Sequence, residues 1–358
     1  MSAPDGATST SDAGSQGDSA QVRVDAASDA AREAGSTGGG GSDASVDAGG
    51  TGGSRFAQIC GSASSWPSPL PADENQRRAQ PVGSQTFGFI EGPVWLADQG
   101  VLLFSDMDFS TSGNPNGPSA RIRRLRPPTS FDVFAENANS NGLALANDGA
   151  VLGASHDIQG LSRFDAQSSQ RTLFQVRSDG KRLNSPNDLT VRSDGTVFFT
   201  DPDWQLGPRS SETKLMGVYK VAPPLMAGGT HAASLLEGTL NKPNGVALSP
   251  DESTLYVGSS GQEIWKYPLA ADGSVGARSM FVANAGASDG MAMDCAGNLY
   301  VAAGTIKVFA PSGMMLGQIS LNDSPSNAAF GGADRKTLYI TAGSRLYSIQ
   351  LNVPGFPY

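Results

Sequence analysis

Asn244-Gly245-Val246-Ala247-Leu248, Ser249-Pro250-Asp251-Glu252 and Leu255-Tyr256-Val257 read as one compact unit. A polar residue and a small turn residue open an apolar run, a turn follows, and a second apolar run returns antiparallel to the first. The same order recurs from Glu91-Gly92-Pro93, Asn141-Gly142-Leu143, Asn187-Asp188-Leu189, Asp289-Gly290-Met291 and Asn327-Ala328-Ala329. In the third copy Leu189-Thr190-Val191 and Val197-Phe198-Phe199-Thr200 flank Ser193-Asp194-Gly195. A repeat this regular predicts radial copies of one β-unit, with the polar first residue at the same place in each.

Working outward, each copy carries a third apolar run: Arg121 to Leu125, Leu161 to Phe164, Val218 to Val221, Ile264 to Tyr267, Ile306 to Phe309 and Leu346 to Ile349. A fourth follows in five of the copies, such as Phe131 to Phe134, Thr172 to Val176 and Ser279 to Val282. The last copy runs out of chain after its third, while Gln85 to Phe89 stands unassigned before the first. The pattern predicts an all-β six-bladed β-propeller over residues 73–358 in which this N-terminal strand completes the last blade and removes an exposed sheet edge. No segment calls for a long helix.

Residues 1–54 contain no Phe, Trp, Tyr, Leu or Ile and are crowded with Gly, Ser, Ala and Asp, so they cannot supply a core. Residues 1–72 are accordingly expected to be a disordered tail and linker. Eight acids against two arginines in the first 54 residues carry most of the formal charge of -9. Neither part offers the basic patch of a nucleic-acid binder, and no apolar run is long enough for a transmembrane helix. A charged and then hydrophobic leader is not visible, yet the tail resembles the stalk of an exported or lipid-anchored bacterial protein, so a periplasmic or extracellular location is expected. Cys60 and Cys295 are the two cysteines. They are either unrelated thiols or a disulfide pinning the N-terminal segment to the fifth repeat.

Asn and Asp favour turns, which explains any single polar start. Six in register, one of them a Glu, point instead to oxygen-bearing side chains that converge on an axis. The ends of the second strands lie on the same face and carry Asp106, His156 and Asp201. Glu91, Asn187, Asn244 and Asp289 make an all-oxygen set suited to a hard divalent cation, Ca²⁺ in particular, since Ca²⁺ tolerates irregular ligand sets. His156 can act as a base or bind substrate as a neutral imidazole, or it can be structural. No glycine-flanked nucleophile serine is present, which argues against a covalent serine mechanism.

The runs Phe89-Ile90-Glu91-Gly92-Pro93-Val94-Trp95, Asn184-Ser185-Pro186-Asn187-Asp188-Leu189, Lys242-Pro243-Asn244-Gly245-Val246-Ala247-Leu248-Ser249 and Ser288-Asp289-Gly290-Met291-Ala292 resemble the gluconolactonase/regucalcin (senescence marker protein) family of six-bladed propellers. The resemblance implies metal ligands at Glu91, Asn244 and Asp289, with Asn187 touching metal or substrate, and Asp289 as general base. At Ser185 the chain departs from animal members, which have an arginine that contacts substrate, and looks more like bacterial lactonases. The expectation is a metal-dependent hydrolase that opens a small-molecule lactone, with Asp289, His156 and Asn187 catalytic and Asn187, Ser185, His156 and Asp201 binding substrate. An arylesterase or phosphotriesterase-like activity on the same centre, or a non-catalytic calcium-stabilised binding propeller, are the alternatives. Oligomeric state is left open.

Overall fold

The computed structural model describes residues 58–61, 65–111 and 113–356, nearly all of them in strands and turns. Most of the expected tail lies outside the described residues. Helix is confined to short turns such as Glu74–Gln76 and Phe109–Thr111, and among the described residues no helix is long and apolar enough to cross a membrane.

Each sequence repeat forms an antiparallel run of strands in chain order. The first comprises Phe89–Leu96, Val101–Asp108, Ser119–Arg126 and Ser130–Ala135. The second (Ser140–Leu145, Val151–Ser155, Gly160–Phe164, Arg171–Ser178) and third (Leu189–Val191, Val197–Asp201, Gly217–Val221, Thr230–Glu237) merge into one nine-stranded sheet. They join because Thr230–Ala232 runs parallel to Gln175–Arg177. The fourth spans Pro243–Leu248 to Ser279–Val282, and the fifth spans Met291–Asp294 to Met315–Ile319 and adds Gly355–Phe356 beside its first strand. The sixth holds Pro325–Gly331, Thr337–Ala342 and Arg345–Gln350.

The outer strand of the sixth run is Gln80–Pro81, paired with Tyr347 and Ser348. The sequence expectation assigned that place to Gln85 to Phe89, and it is corrected here: Phe89 belongs to the first strand of the first repeat. Gln80–Pro81 is short and contains a proline, so it carries no alternating pattern; proline is tolerated there because an outer strand needs donors on one side only. The packed chain also starts before the expected boundary at residue 73. Leu70 is buried against Gly317, Asn352 donates to the Ser68 and Leu70 carbonyls, and Cys60 is bonded to Cys295. That disulfide sits in an apolar cluster with Val353 and Phe356.

Alternation of side chains puts apolar residues between successive runs. Val94, Leu103 and Ile122 of the first meet Leu143, Val151 and Phe164 of the second; Phe198 and Val218 of the third meet Val246 and Leu255 of the fourth. The series returns on itself, because Tyr339 and Leu346 of the sixth pack with Ile90, Trp95 and Phe104 of the first. Trp95 stacks on Tyr339 at 5.7 Å between ring centroids. The first strands of the six runs neighbour one another in the same cyclic order, the sixth touching the first.

Candidate active site

The polar starts are gathered by two local devices. In the first strands of the first, second, fourth and sixth repeats the pairing slips at Glu91 to Val94, Ser140 to Leu143, Pro243 to Val246 and Pro325 to Asn327. Such bulges re-aim a side chain that regular pairing would hold in the sheet. The second device is the small residue that follows the polar start in every repeat but the third. A Cβ on Gly92, whose φ is +55°, would lie 2.4 Å from the Asn141 carbonyl, and one on Gly245 would lie 2.3 Å from the Asp289 carbonyl. Glycine therefore lets neighbouring first strands approach until they hydrogen-bond: Gly142 N to Asn187 O, 2.7 Å, and Gly245 N to Asp289 O, 3.0 Å.

The result is a buried polar ring. Asn244 Nδ2 donates to Asp289 Oδ1 at 2.7 Å, Asn327 Nδ2 donates to Glu91 Oε2 at 3.0 Å, and Gly92 N donates to the same oxygen at 2.7 Å. Glu91 and Asp289 lie close enough for each to shift the other's titration. Burial is the main cause of a Glu91 pKa raised to about 7, opposed by these donors. Burial first, and then the charge of Glu91, push Asp289 well above the usual carboxylate range. Two acids this close in a dry site hold a proton between them, since like charges at that separation cannot both ionise without compensation. Among the described residues no three His, Cys, Asp or Glu side chains assemble into a metal-binding group; amides make up the rest of this set.

Asn187 is buried next to Asp188, just before the first strand of the third repeat. Its backbone is fixed on both sides, donating to Thr200 O and accepting from Gly142 N. Sequence reasoning singled out Asn187 and passed over Asp188, which is the side chain that fills the axis. Asp188 Oδ1 accepts from Leu189 N and Oδ2 from Val246 N, and burial followed by repulsion from Glu91 raises it to about 8. A narrow cavity of about 40 Å³, lined in part by Asp188, Asn327, Leu143, Val246 and Met291, runs there. The legible signal was that the third repeat carries an acid where the others have Gly or Ala.

The second-strand ends occupy the adjoining corner. His156 is fully buried and holds Pro118 O through Nε2 at 2.7 Å. A carbonyl partner requires the proton on Nε2, so Nδ1 carries the lone pair, and Nδ1 has no partner. Burial lowers the imidazole pKa to about 4, so it is neutral near pH 7. Asp201 is fully buried, and Asn184 N donates to its Oδ2 at 2.8 Å. Desolvation raises it to about 8. Ser185 is buried with its hydroxyl engaged, donating to Pro202 O and accepting from Gln205 N. Asp106 is spent on Arg123 at 2.7 Å and Gly88 N at 2.8 Å. The structure thus brings Glu91, Asn244 and Asp289 into one buried group, with Asn187 beside it and Ser185, Asp201 and His156 in a neighbouring corner.

Residues 89–344 match the family model described as the SMP-30/Gluconolactonase/LRE-like region. The chain belongs to this family. Within reach of that SMP-30/gluconolactonase family model, the chain is 33% identical over 298 residues to a gluconolactonase of Zymomonas mobilis, covering 74% of this chain and 79% of the relative. It is 30% identical over 289 residues to a 6-deoxy-6-sulfogluconolactonase of Pseudomonas putida, covering 74% and 92%. A solved gluconolactonase of Xanthomonas campestris superposes with a TM-score of 0.66 at 31% identity, covering 82% of this chain and 96% of that one.

Proposed function

We propose that this chain is a metal-dependent lactonase built as a six-bladed β-propeller, closed by its N-terminal segment through Gln80–Pro81. The cyclic order of first strands and of the apolar clusters supports the blade reading. Relatives named for gluconolactone and its 6-deoxy-6-sulfo form support a lactone of a sugar acid as substrate.

The observation that carries the chemistry is one buried set in which Asn244 holds Asp289, Asn327 holds Glu91, and the charge of Glu91 pushes the Asp289 pKa up. Two acids and an amide carbonyl, all oxygen donors and all desolvated, fit a hard divalent cation, whose charge would replace the shared proton. Glu91, Asn187, Asn244 and Asp289 would hold it, with Ca²⁺ the best match to so irregular a set. Such an ion supplies polarisation of the lactone carbonyl and an acidified water.

The protein's own groups do the rest. An Asp289 carboxylate oxygen takes a proton from the water as its oxygen forms a bond to the carbonyl carbon. The same carboxyl returns the proton to the ring oxygen as the ester C–O bond breaks, giving the hydroxy acid. Asn187 orients the carbonyl. Neutral His156, with its free Nδ1 lone pair, is a second acceptor on the substrate side. The Cys60–Cys295 bridge supports an oxidising compartment, hence a periplasmic or extracellular location.

A pH-stat screen of sugar lactones, aliphatic lactones, aryl esters and phosphotriesters tests this reading. Lactone opening that stops on chelation and is absent in Asp289→Ala is expected. Turnover of aryl esters or phosphotriesters alone would move the activity class, and full activity in Asp289→Ala would overturn the scheme.

A further inference from the structure

Arg209 ties the loop after the second strand of the third repeat to the second repeat. It donates from Nε to Leu206 O, from Nη2 to Gln205 O, and from Nη1 to the carbonyls of His156 and Asp157 at 2.8 and 3.2 Å. Asp157 is in turn gripped by Arg171 through both carboxylate oxygens. The guanidinium therefore staples the third-repeat loop to the corner of the second repeat, through four main-chain acceptors that a lysine could not reach together.

The staple brings Gln205 beside His156. A Cβ placed on Gly117 would lie 2.6 Å from Gln205 O and 3.1 Å from His156 Cδ2, so both border the same point. Gln205 N donates to Ser185 Oγ at 3.2 Å, and Ser185 lies against Asp201. In this one corner two buried acceptor atoms lack a donor: His156 Nδ1 and Gln205 Oε1. Their residues are at most 4% exposed. Leaving such atoms unmade is costly, so their clustering calls for an explanation. The corner adjoins the cation set, because Thr200, next to Asp201, accepts from Asn187 N.

We propose that Gln205 Oε1 and His156 Nδ1 form a hydrogen-bond-accepting subsite that reads hydroxyl groups on the substrate ring. Gln205 is thereby a specificity-determining residue and Arg209 a positioning residue that sets it against His156. This rests on the lactonase reading. A substrate without those hydroxyls leaves the acceptors unmade, which is how a buried polar site rejects a deoxy analogue.

The test compares D-glucono-1,5-lactone with δ-valerolactone, which lacks ring hydroxyls, in wild type, Gln205→Leu, Gln205→Glu and Arg209→Lys, each checked for an unchanged circular-dichroism melt. Gln205→Leu should lower the ratio of kcat/KM for the hydroxylated over the bare lactone by about tenfold, the equivalent of one buried hydrogen bond, mainly through KM. Gln205→Glu, which keeps an acceptor, should recover part of the ratio, and Arg209→Lys should lower it too. A ratio unmoved in Gln205→Leu overturns the proposal while leaving the lactonase reading intact. If wild type opens neither lactone the lactonase reading fails, and the subsite is then judged by calorimetric titration with gluconate: binding equal in wild type and Gln205→Leu overturns it, and binding lost in the variant supports it.

Discussion

Asn244 donates its side-chain amide to Asp289 Oδ1 at 2.7 Å, across the boundary between the fourth and fifth repeats. With that nitrogen turned to the carboxylate, its carbonyl oxygen is the end available to a cation. Asn244→Ala removes an oxygen donor and leaves Asp289 less supported. Steady-state kinetics of this variant should show a loss of roughly 100-fold or more in kcat/KM, the scale seen when a metal centre loses a ligand or its support.

The buried acids make stability depend on pH in a defined direction. Glu91, Asp188 and Asp201 have pKa values raised to about 7, 8 and 8 in the fold, against about 4 in the unfolded chain. The folded state therefore binds more protons between those limits, and stability falls as pH rises through that window. His156 opposes this only below about 6.5, because its folded pKa of about 4 lies under the unfolded value. Between pH 6.5 and 8 the acids act alone. Calorimetric melts of chelated protein should show Tm dropping across that interval, and added Ca²⁺ should raise Tm most at pH 8; a Tm that climbs with pH would contradict the assignment.

Gly245→Ala places a methyl group 2.3 Å from the Asp289 carbonyl oxygen. Backbone cannot yield there without moving Asp289 itself, so we expect a loss of about 1–3 kcal/mol in urea unfolding together with a fall in turnover larger than that of a surface Gly→Ala change such as Gly113, which has open space around it and no positive φ.

The Cys60–Cys295 bridge joins residues 235 positions apart. Cys60→Ser with Cys295→Ser should cost about 2–5 kcal/mol of stability through freedom returned to the unfolded chain, and Tm should drop by several degrees. Turnover at 25 °C should persist, because the bridge packs with Val353 and Phe356 rather than with Glu91, Asn244 or Asp289.

The strands were legible because apolar runs with turn residues between them repeat at similar spacing, and a hairpin needs little more than that local chemistry. Glu91, Asn244 and Asp289 were legible as the one polar feature shared by the repeats. Gln80–Pro81 was not, since two residues carry no period, and its place depends on the sixth repeat, far along the chain. Leu70 and its neighbours looked like linker because they form no regular element. Asp188 was hidden by its own repeat, because the position after the polar start is Gly or Ala in the others and the ligand role fell to Asn187. Gln205 and Arg209 lie in a loop whose path is fixed by hydrogen bonds to main-chain carbonyls, which sequence does not display.

Calorimetric titration of chelated protein with Ca²⁺, run side by side on wild type and Glu91→Gln, addresses the convergence of these side chains most directly. One ion per chain in wild type, with affinity lost or greatly weakened in the variant, is the expected result. No binding heat in wild type, or the same isotherm in both proteins, would contradict it.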